Sequence, residues 1–302
     1  MTGRATGVAL AFMTAVISGV SIYVNGHAVK HFGDATVYTT AKNAVAGALL
    51  LALALVPHGT REQRPAPPAG GKQWTALVAV AVVGGSVPFV LFFEGLARAE
   101  ATQAAFIQKT LVVWVALLAV PLLRERFRAP HALAVVLLLA GQLWIASDAG
   151  TVILGAGEAM IFAATLLWSV EIVFAKHLLG SLPPRTLAAA RMAIGTVLLV
   201  GWAAISGRAG QLTSLSAEQW RWVGLSGLLL TAYVATWYAA LARAQAVDVT
   251  AMLVFGAVVT ALLSGAADGT SINVIGTILI AAGSALIAVV AVRRPRLEAT
   301  AR

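Results

Sequence analysis

Ten long apolar runs, separated by short polar connections, dominate this chain of 302 residues. About 20 apolar residues in helical conformation cross the hydrocarbon core of a bilayer, and each run is close to this length. The runs cover residues 6–26, 35–56, 74–97, 102–123, 130–148, 151–175, 186–206, 219–242, 247–267 and 272–292. Lipid offers the backbone no hydrogen-bond partners, and the alternation of barrel strands is absent, so each run must be a helix. The sequence therefore predicts an all-α integral membrane protein with ten transmembrane helices.

The composition supports a membrane location and excludes other classes. Hydrophobic residues make up 60% of the chain and charged residues 11%, whereas soluble domains have about 25% charged residues. The net charge of +9 does not indicate a nucleic-acid partner, because the basic residues stand singly or in threes between the spans and form no stripe on a soluble surface. The chain has no cysteine, which excludes disulfides and thiol catalysis.

One short segment occurs twice in the chain. LARAEA begins at Leu96 and returns as LARAQA at Leu241, in each case at the end of an apolar run and directly before the next. Further matches follow in the same order: Phe92-Phe93 with Trp237-Tyr238, Ala28–His31 with Phe174–His177, Ala41–Ala44 with Ala190–Ala193, and Ala140-Gly141 with Ala282-Gly283. This self-similarity predicts an internal duplication. Its halves are residues 1–148, with spans one to five, and residues 149–302, with spans six to ten.

The number of spans in each half determines how the halves are oriented. Five is odd, so the second half enters the bilayer from the other side. The two halves are then inverted repeats, related by a pseudo-two-fold axis in the membrane plane. Secondary transporters are commonly built in this way and bind substrate near the bilayer midplane, between the repeats.

The distribution of Lys and Arg predicts the orientation of the whole chain. Fourteen of these 21 residues fall in the terminal segments and in the connections on the same side of the bilayer as the termini, and four fall on the other side. The remaining three, Lys42, Lys109 and Arg191, lie within spans. By the positive-inside rule, both termini are cytoplasmic in a multi-pass protein of the inner membrane.

Five plus five helices, the LARAxA junction, and Pro121 followed by Arg124-Glu125-Arg126 resemble the EamA-type transporters of the drug/metabolite transporter superfamily. The second half departs from this pattern, because Ser264–Ser271 contains Asp268 without a matching Pro-x-x-x-Glu. The resemblance implies a permease that exports amino acids, other metabolites or drugs by alternating access. It also implies a proton gradient as a candidate driving force.

Ionisable side chains within spans cost about 2.5–3.5 kcal/mol each on insertion scales, so each one is a functional hypothesis. Counting ~1.5 Å per residue from the nearest connection predicts an outer cluster and an inner pair. The cluster comprises Lys42, Glu94, Lys109 and Glu158, and the pair comprises Glu171 and Arg191. All except Lys109 are candidate proton or ion-pair sites, and a Gln at position 94 is expected to abolish pH-dependent flux. The alternative is that these groups are structural ion pairs or side chains that reach the interface.

A substrate cavity would be lined by polar and aromatic residues within the spans. The candidates are Glu94, Gln108, Lys109, Trp114, Glu158, Trp168, Trp237 and Tyr238. For the aromatic residues, ordinary packing is the alternative. Pro88, after Gly84-Gly85-Ser86, is expected to kink the third helix and is a candidate hinge or helix break, although membrane helices also tolerate such kinks without function.

Several kinds of active site are not supported by the sequence. The GK[ST] of a phosphate-binding loop and the GxSxG of a hydrolase are absent. His27 and His31 have i, i+4 spacing, but no third ligand accompanies them, so we expect no metal, cofactor or catalytic residue. The favoured interpretation is a transporter of a small molecule, and the alternative is an integral-membrane enzyme or a non-transporting scaffold. Small-residue faces in the fifth and tenth spans can pack within one chain or between two, so the protein is a monomer or a homodimer.

Overall fold

The computed structural model describes residues 3–56, 68, 70–99, 101–147, 155–269 and 271–293. Fourteen α-helices make up most of this part. They are α1 (Gly3–Ala28), α2 (Ala35–Leu55), α3 (Gly71–Val80), α4 (Val87–Leu96), α5 (Ala101–Lys109), α6 (Leu111–Leu123), α7 (Ala129–Ser147), α8 (Ala156–Leu178), α9 (Pro184–Ile205), α10 (Ala209–Thr213), α11 (Ala217–Leu241), α12 (Ala246–Leu253), α13 (Gly256–Asp268) and α14 (Val274–Val292). A 3₁₀ turn at Val29–His31 follows α1, and a π-helical segment at Ala81–Ser86 joins α3 to α4.

The helices confirm the expected membrane fold. Nine helical spans in the described residues are long and apolar enough to cross a bilayer, and Ala129–Ile145 in α7 is a shorter apolar helix. Three of the ten predicted spans are interrupted. The third consists of α3, the π segment and α4, the fourth of α5 and α6, and the ninth of α12 and α13. Large apolar side chains such as Leu55, Leu122, Val197 and Ile205 lie on the outside, where lipid replaces water as the solvent.

Helix contacts show the inverted repeat directly. α1, the first helix of the first half, packs against α11 and α13, and α8, the first helix of the second half, packs against α4 and α6. The pairs α2–α9 and α7–α14 join equivalent helices of the two halves. Each first helix therefore packs mainly on the third and fourth spans of the other half, as a pseudo-two-fold relation requires.

The two LARAxA junctions lie at these contacts between halves. A Cβ atom on Gly157, at the start of α8, would lie 2.9 Å from the backbone nitrogen of Ala99 in the first junction. A Cβ atom on Gly7, near the start of α1, would lie 2.9 Å from the Cβ of Arg243 in the second junction. Each junction therefore packs closely on a glycine of the opposite half. We call the end of the bundle where α1 begins the N-terminal face, and the other end the opposite face.

The small-residue faces of α7 and α14 pack against each other within the chain. A Cβ atom on Gly141 would lie 2.7 Å from the carbonyl oxygen of Gly276, and one on Gly283 would lie 3.0 Å from that of Ala134. Such close approach of backbones is the usual means of helix association in lipid. These glycines therefore make helix–helix contacts within one molecule.

The spacing of Ser216 and Gln219 predicts a capping box at the start of α11, and the structure confirms it. The Ser216 hydroxyl accepts a hydrogen bond from the Gln219 backbone N–H at 3.2 Å, and the Gln219 side chain accepts one from the Ser216 N–H at 2.9 Å. Two backbone donors at the helix start are thereby satisfied locally. This start lies at the opposite face, beside the end of α1.

Candidate functional site: two buried polar clusters

A buried ion pair lies between α8, α9 and α11. Glu171 Oε1 lies 3.6 Å from Arg191 Nε, and the two side chains are 2% and 9% exposed. The Tyr238 hydroxyl donates a hydrogen bond to Glu171 Oε1 at 2.5 Å. Arg191 Nη2 and Trp168 Nε1 both donate to the carbonyl oxygen of Gly84, at 2.8 and 3.1 Å. We call Glu171, Arg191, Tyr238, Trp168 and the Gly84 carbonyl the Glu171 cluster.

Pro88 explains why this carbonyl is available. Four residues after Gly84, it has no backbone N–H, so the Gly84 carbonyl lacks its α-helical donor. The carbonyl faces α8 and α9 because Gly84 has no side chain, since a Cβ atom there would lie 2.3 Å from Glu171 Cγ. The break expected at Pro88 is therefore present as the π segment, and it lets the first half contribute to the Glu171 cluster.

A second polar cluster lies between α1, α2 and α4. Lys42 Nζ donates to Asn25 Oδ1 at 3.3 Å, and the Tyr38 hydroxyl donates to the same oxygen. The ammonium lies 4.6 Å from the ring centroid of Phe93 and 5.0 Å from that of Tyr38. Lys42 is 4% exposed, and no carboxylate in the described part of the chain lies within ion-pair distance of it. We call Asn25, Tyr38, Lys42 and Phe93 the Lys42 cluster.

The duplication relates the two clusters residue by residue. Lys42 is the repeat equivalent of Arg191. The offset that aligns Lys30-His31 with Lys176-His177 places Asn25 opposite Glu171, and the offset of the LARAxA junctions places Phe93 opposite Tyr238. Both clusters hold a buried cation, but only one holds a carboxylate.

Glu94 belongs to a different network, near the opposite face. Its carboxylate accepts from the Thr36 hydroxyl at 2.9 Å, from Arg98 Nη1 at 2.9 Å and from Arg208 Nη2 at 3.1 Å. Arg208 Nε also pairs with Asp34 at 2.5 Å. Asp34 caps α2 through the N–H groups of Thr36 and Val37. The network joins the two halves at the edge of the bundle.

The outer cluster expected from the sequence is not formed. Among the residues that the structure describes, no ion pair joins Lys42, Glu94, Lys109 and Glu158 to one another. Glu94 pairs instead with arginines from the connections. Glu158 lies in the first turn of α8, where its carboxylate accepts from the Gly155 N–H at 3.0 Å. The depth expected for Glu158 within its span was therefore wrong, because α8 begins at Ala156 whereas the apolar run was counted from residue 151.

The remaining cavity candidates lie in several places. Lys109, 8% exposed, ends α5 and has no hydrogen bond or ion pair within the described ranges, and Gln108 beside it is half-buried. Trp114 Nε1 donates to the Thr110 hydroxyl at 3.1 Å, at the break between α5 and α6. Trp237 stacks on Tyr233 with ring centroids 6.0 Å apart. Of the predicted aromatic residues, Trp168 and Tyr238 belong to the Glu171 cluster, through the Gly84 carbonyl and the Glu171 carboxylate respectively.

The N-terminal face has charged contacts that the sequence did not predict. Glu125, between α6 and α7, accepts from the N–H groups of Ala246 and Val247 at 2.6 and 3.0 Å. Lys176 donates to the carbonyls of Leu241 and Ala244 at 2.5 and 2.7 Å. Side chains of opposite charge therefore satisfy the start of α12 and the end of α11. The Pro121-to-Glu125 pattern marks Glu125 in the sequence, but its partner lies 121 residues away.

Glu125 gives the stability of the protein a pH dependence. Burial raises the pKa of this carboxyl above its ordinary value of 4.5, and the two backbone N–H donors offset part of that rise. The contribution of this group to the free energy of unfolding is fully present at a pH below its ordinary pKa of 4.5. This contribution is lost as the pH rises through the raised pKa of the folded protein. We expect thermal unfolding of the detergent-solubilised protein to show this decline and the Glu125→Gln variant to lack it. A Gln variant with the same pH profile would contradict the assignment.

The comparisons with known proteins agree with this architecture. The sequence model of the EamA-like transporter family matches residues 5–147 and 155–289. The chain belongs to this family. A solved structure titled only "Crystal structure of protein" is similar to this EamA-like chain with a TM-score of 0.77 and 18% identity, over 95% of this chain and 99% of that one. At that identity, the likeness shows a shared fold. No curated protein matches the chain. Membership makes the protein a multi-pass membrane transporter of small molecules.

Proposed function

We propose that the protein is a secondary active transporter that exports small organic metabolites, such as amino acids or drugs, by alternating access and with protons as the coupling ion. The observation that carries this proposal is the Glu171 cluster. An ionisable pair buried within membrane spans is costly and marks substrate or proton pathways. Here it lies where helices of the second half meet the broken third span of the first half.

The geometry supports a coupling role for Glu171. Protonation of its carboxylate would remove the charge that holds Arg191 Nε at 3.6 Å. Arg191 also holds the Gly84 carbonyl, next to Pro88. A proton on Glu171 would therefore leave the Arg191 guanidinium held by the Gly84 carbonyl of the broken third span, without its counter-charge in the second half. Broken helices of this kind form the substrate and ion sites of secondary transporters.

The substrate would contact residues around this cluster and along the broken spans. We retain as binding candidates Glu94, Gln108, Lys109, Trp114, Glu158, Trp168, Trp237 and Tyr238, and as proton or ion-pair candidates Lys42, Glu94, Glu158, Glu171 and Arg191. Trp168 and Tyr238 have direct contacts in the Glu171 cluster. The proposal includes no chemical conversion of the substrate.

The proposal also includes a location and a division of the chain. The N-terminal face is cytoplasmic in an inner membrane, and the repeats are residues 1–148 and 149–302. Export then proceeds from the N-terminal face to the opposite face. Contacts at both faces join the halves: Glu125 with the start of α12 at one, and Glu94 with Arg208 at the other. Alternating access requires these contacts to be released in turn.

Transport is tested with purified protein in liposomes. The vesicles are loaded with a pool of amino acids and related metabolites, and the loss of each compound is followed by mass spectrometry with and without a pH gradient. We expect selective loss that depends on the gradient. Loss no faster than from protein-free vesicles, with correct folding verified, would favour an integral-membrane enzyme or a scaffold.

The same assay identifies the coupling residue. Glu171→Gln removes the titratable group but keeps an oxygen that can accept from Tyr238, so we expect flux that no longer responds to the pH gradient. Glu94→Gln is measured in parallel, because Glu94 is another of the proton candidates. If Glu171→Gln keeps the wild-type gradient response while Glu94→Gln loses it, the proton site lies at the opposite face and the Glu171 cluster is structural.

A further inference from the structure

We propose that the Lys42 cluster is the binding site for the carboxylate of the transported substrate, which makes the substrate an organic monocarboxylate. This inference rests on the proposed transport function and adds a substrate class to it. It assigns a role to a buried lysine that contacts an amide and two aromatic rings.

The charge of Lys42 requires an explanation. A buried ammonium is costly unless it is paired with an anion or neutralised. The described residues provide one hydrogen-bond acceptor, Asn25 Oδ1 at 3.3 Å, and the faces of Phe93 and Tyr38. Ring faces attract a cation but accept no N–H in the manner of a carboxylate. A lysine has three N–H donors, so two remain for a ligand.

The repeat shows which group is missing. In the Glu171 cluster, the protein provides a carboxylate for Arg191. At the equivalent position of the Lys42 cluster, the chain has Asn25, which is neutral. The two clusters have the same arrangement of a cation, a polar side chain on the first helix of the half and an aromatic residue before the junction. The Glu171 cluster therefore contains its own negative charge, and the Lys42 cluster can receive one from a bound ligand.

The helices that carry the two cations each pack closely on a glycine of the other half. A Cβ atom on Gly85 would lie 2.5 Å from the carbonyl oxygen of Arg191, and one on Gly227 would lie 3.2 Å from that of Lys42. In each half, the helix that carries the cation thus packs on a glycine in the third span of the other half.

The surroundings indicate what else the ligand contains. Asn25 is half-buried, whereas Phe93 and Tyr38 are buried. Asn25 Oδ1 already accepts from Tyr38 and Lys42. The cluster therefore offers positive charge and aromatic surface, which suits one carboxylate attached to an apolar group.

Ligand binding is tested on the purified full-length protein by thermal unfolding in detergent. The probes are the protein L-amino acids and straight-chain monocarboxylates, each compared with its own amide. We expect at least one acid to raise Tm with a saturating concentration dependence, and its amide to have an affinity more than about tenfold weaker. Lys42→Met is expected to abolish this response. Lys30→Met, which removes an exposed lysine near the same face, is the matched control and should keep it.

A second variant tests the comparison between repeats. Asn25→Asp places a carboxylate beside Lys42, as Glu171 lies beside Arg191. We expect this variant to keep or raise the Tm of the unliganded protein and to lose the response to acids, because its own carboxylate occupies the site. It remains informative if Lys42→Met does not fold.

The outcomes separate this inference from the proposed function. Acid-specific stabilisation that depends on Lys42 supports the inference even if liposomes show no transport, which would count against the function alone. Transport in which acids and amides leave equally well, unchanged by Asn25→Asp, would overturn the inference and leave the transporter intact. The absence of any stabilising acid would also overturn it.

Discussion

Replacing Glu171 with Leu is expected to lower the free energy of unfolding by about 3–5 kcal/mol, the usual cost of removing one partner of a buried ion pair. Arg191 would keep its bond to the Gly84 carbonyl but would lose its counter-charge, and the Tyr238 hydroxyl would lose its acceptor. Unfolding of the detergent-solubilised protein, followed by tryptophan fluorescence, measures this loss.

The control is the double variant Glu171→Leu with Arg191→Met. Because it removes both charges, it is expected to recover much of the lost stability, as apolar replacements of buried ion pairs commonly do. The double variant should also lose gradient-driven flux, which a purely structural pair would not require. A double variant as unstable as Glu171→Leu alone would show that the cost comes from lost packing and not from the uncompensated guanidinium.

Gly195→Ala is expected to lower the free energy of unfolding by about 1–3 kcal/mol, the usual cost of overpacking a well-packed core. The new methyl group would lie 2.6 Å from the Gly85 carbonyl oxygen and 2.9 Å from the Gly85 Cα. These are backbone atoms of the π segment, so they cannot move aside as a flexible side chain can. The same unfolding measurement reports the effect.

Gly201→Ala is the matched control, since both glycines lie in α9. A Cβ atom on Gly201 would have no neighbour within 4 Å, and Ala is the better helix former in water. We expect this variant to be neutral or slightly stabilised. Equal losses in the two variants would show that α9 depends on glycine for another reason than its contact with the π segment.

The fold could be predicted from the sequence because the features that determine it are local or periodic in the sequence. Span length predicts helices, and the two LARAxA segments reveal the duplication. The parity of five spans then gives inversion, and Ser216 and Gln219 lie close enough in sequence to predict their mutual bonds. None of these inferences requires knowledge of how the helices are rotated about their axes.

The partners of charged residues were less accessible, because they depend on helix rotation and on exact helix ends. Counting residues placed Glu94 and Glu158 with Lys42, but Glu94 bonds to Arg208 of the other half and Glu158 bonds at the start of its own helix. Asn25 was overlooked because a single asparagine near a helix end has no distinctive pattern. The offset between the repeats identifies it once Glu171 is known to matter.

The breaks in the fourth span of each half show a further limit of hydropathy. α5 ends at Lys109 and α6 begins at Leu111, while α12 ends at Leu253 and α13 begins at Gly256. Pro88 indicates the break in the third span, but neither break in the fourth span of the two halves contains a proline. Continuous apolar composition is compatible with a straight helix or with two shorter ones, so packing decides between them.

The contacts of α1 affect the order in which the molecule can be assembled. Its main partners are α11, α12, α13 and α14, and they all belong to the second half. During synthesis, α1 enters the bilayer about 200 residues before α11 is made, and contacts so distant in sequence form late. Until then, the face of α1 that carries Gly7 must be covered by lipid or by other proteins of the membrane. α1 is therefore made before its main partners and is among the last helices to reach its final neighbours.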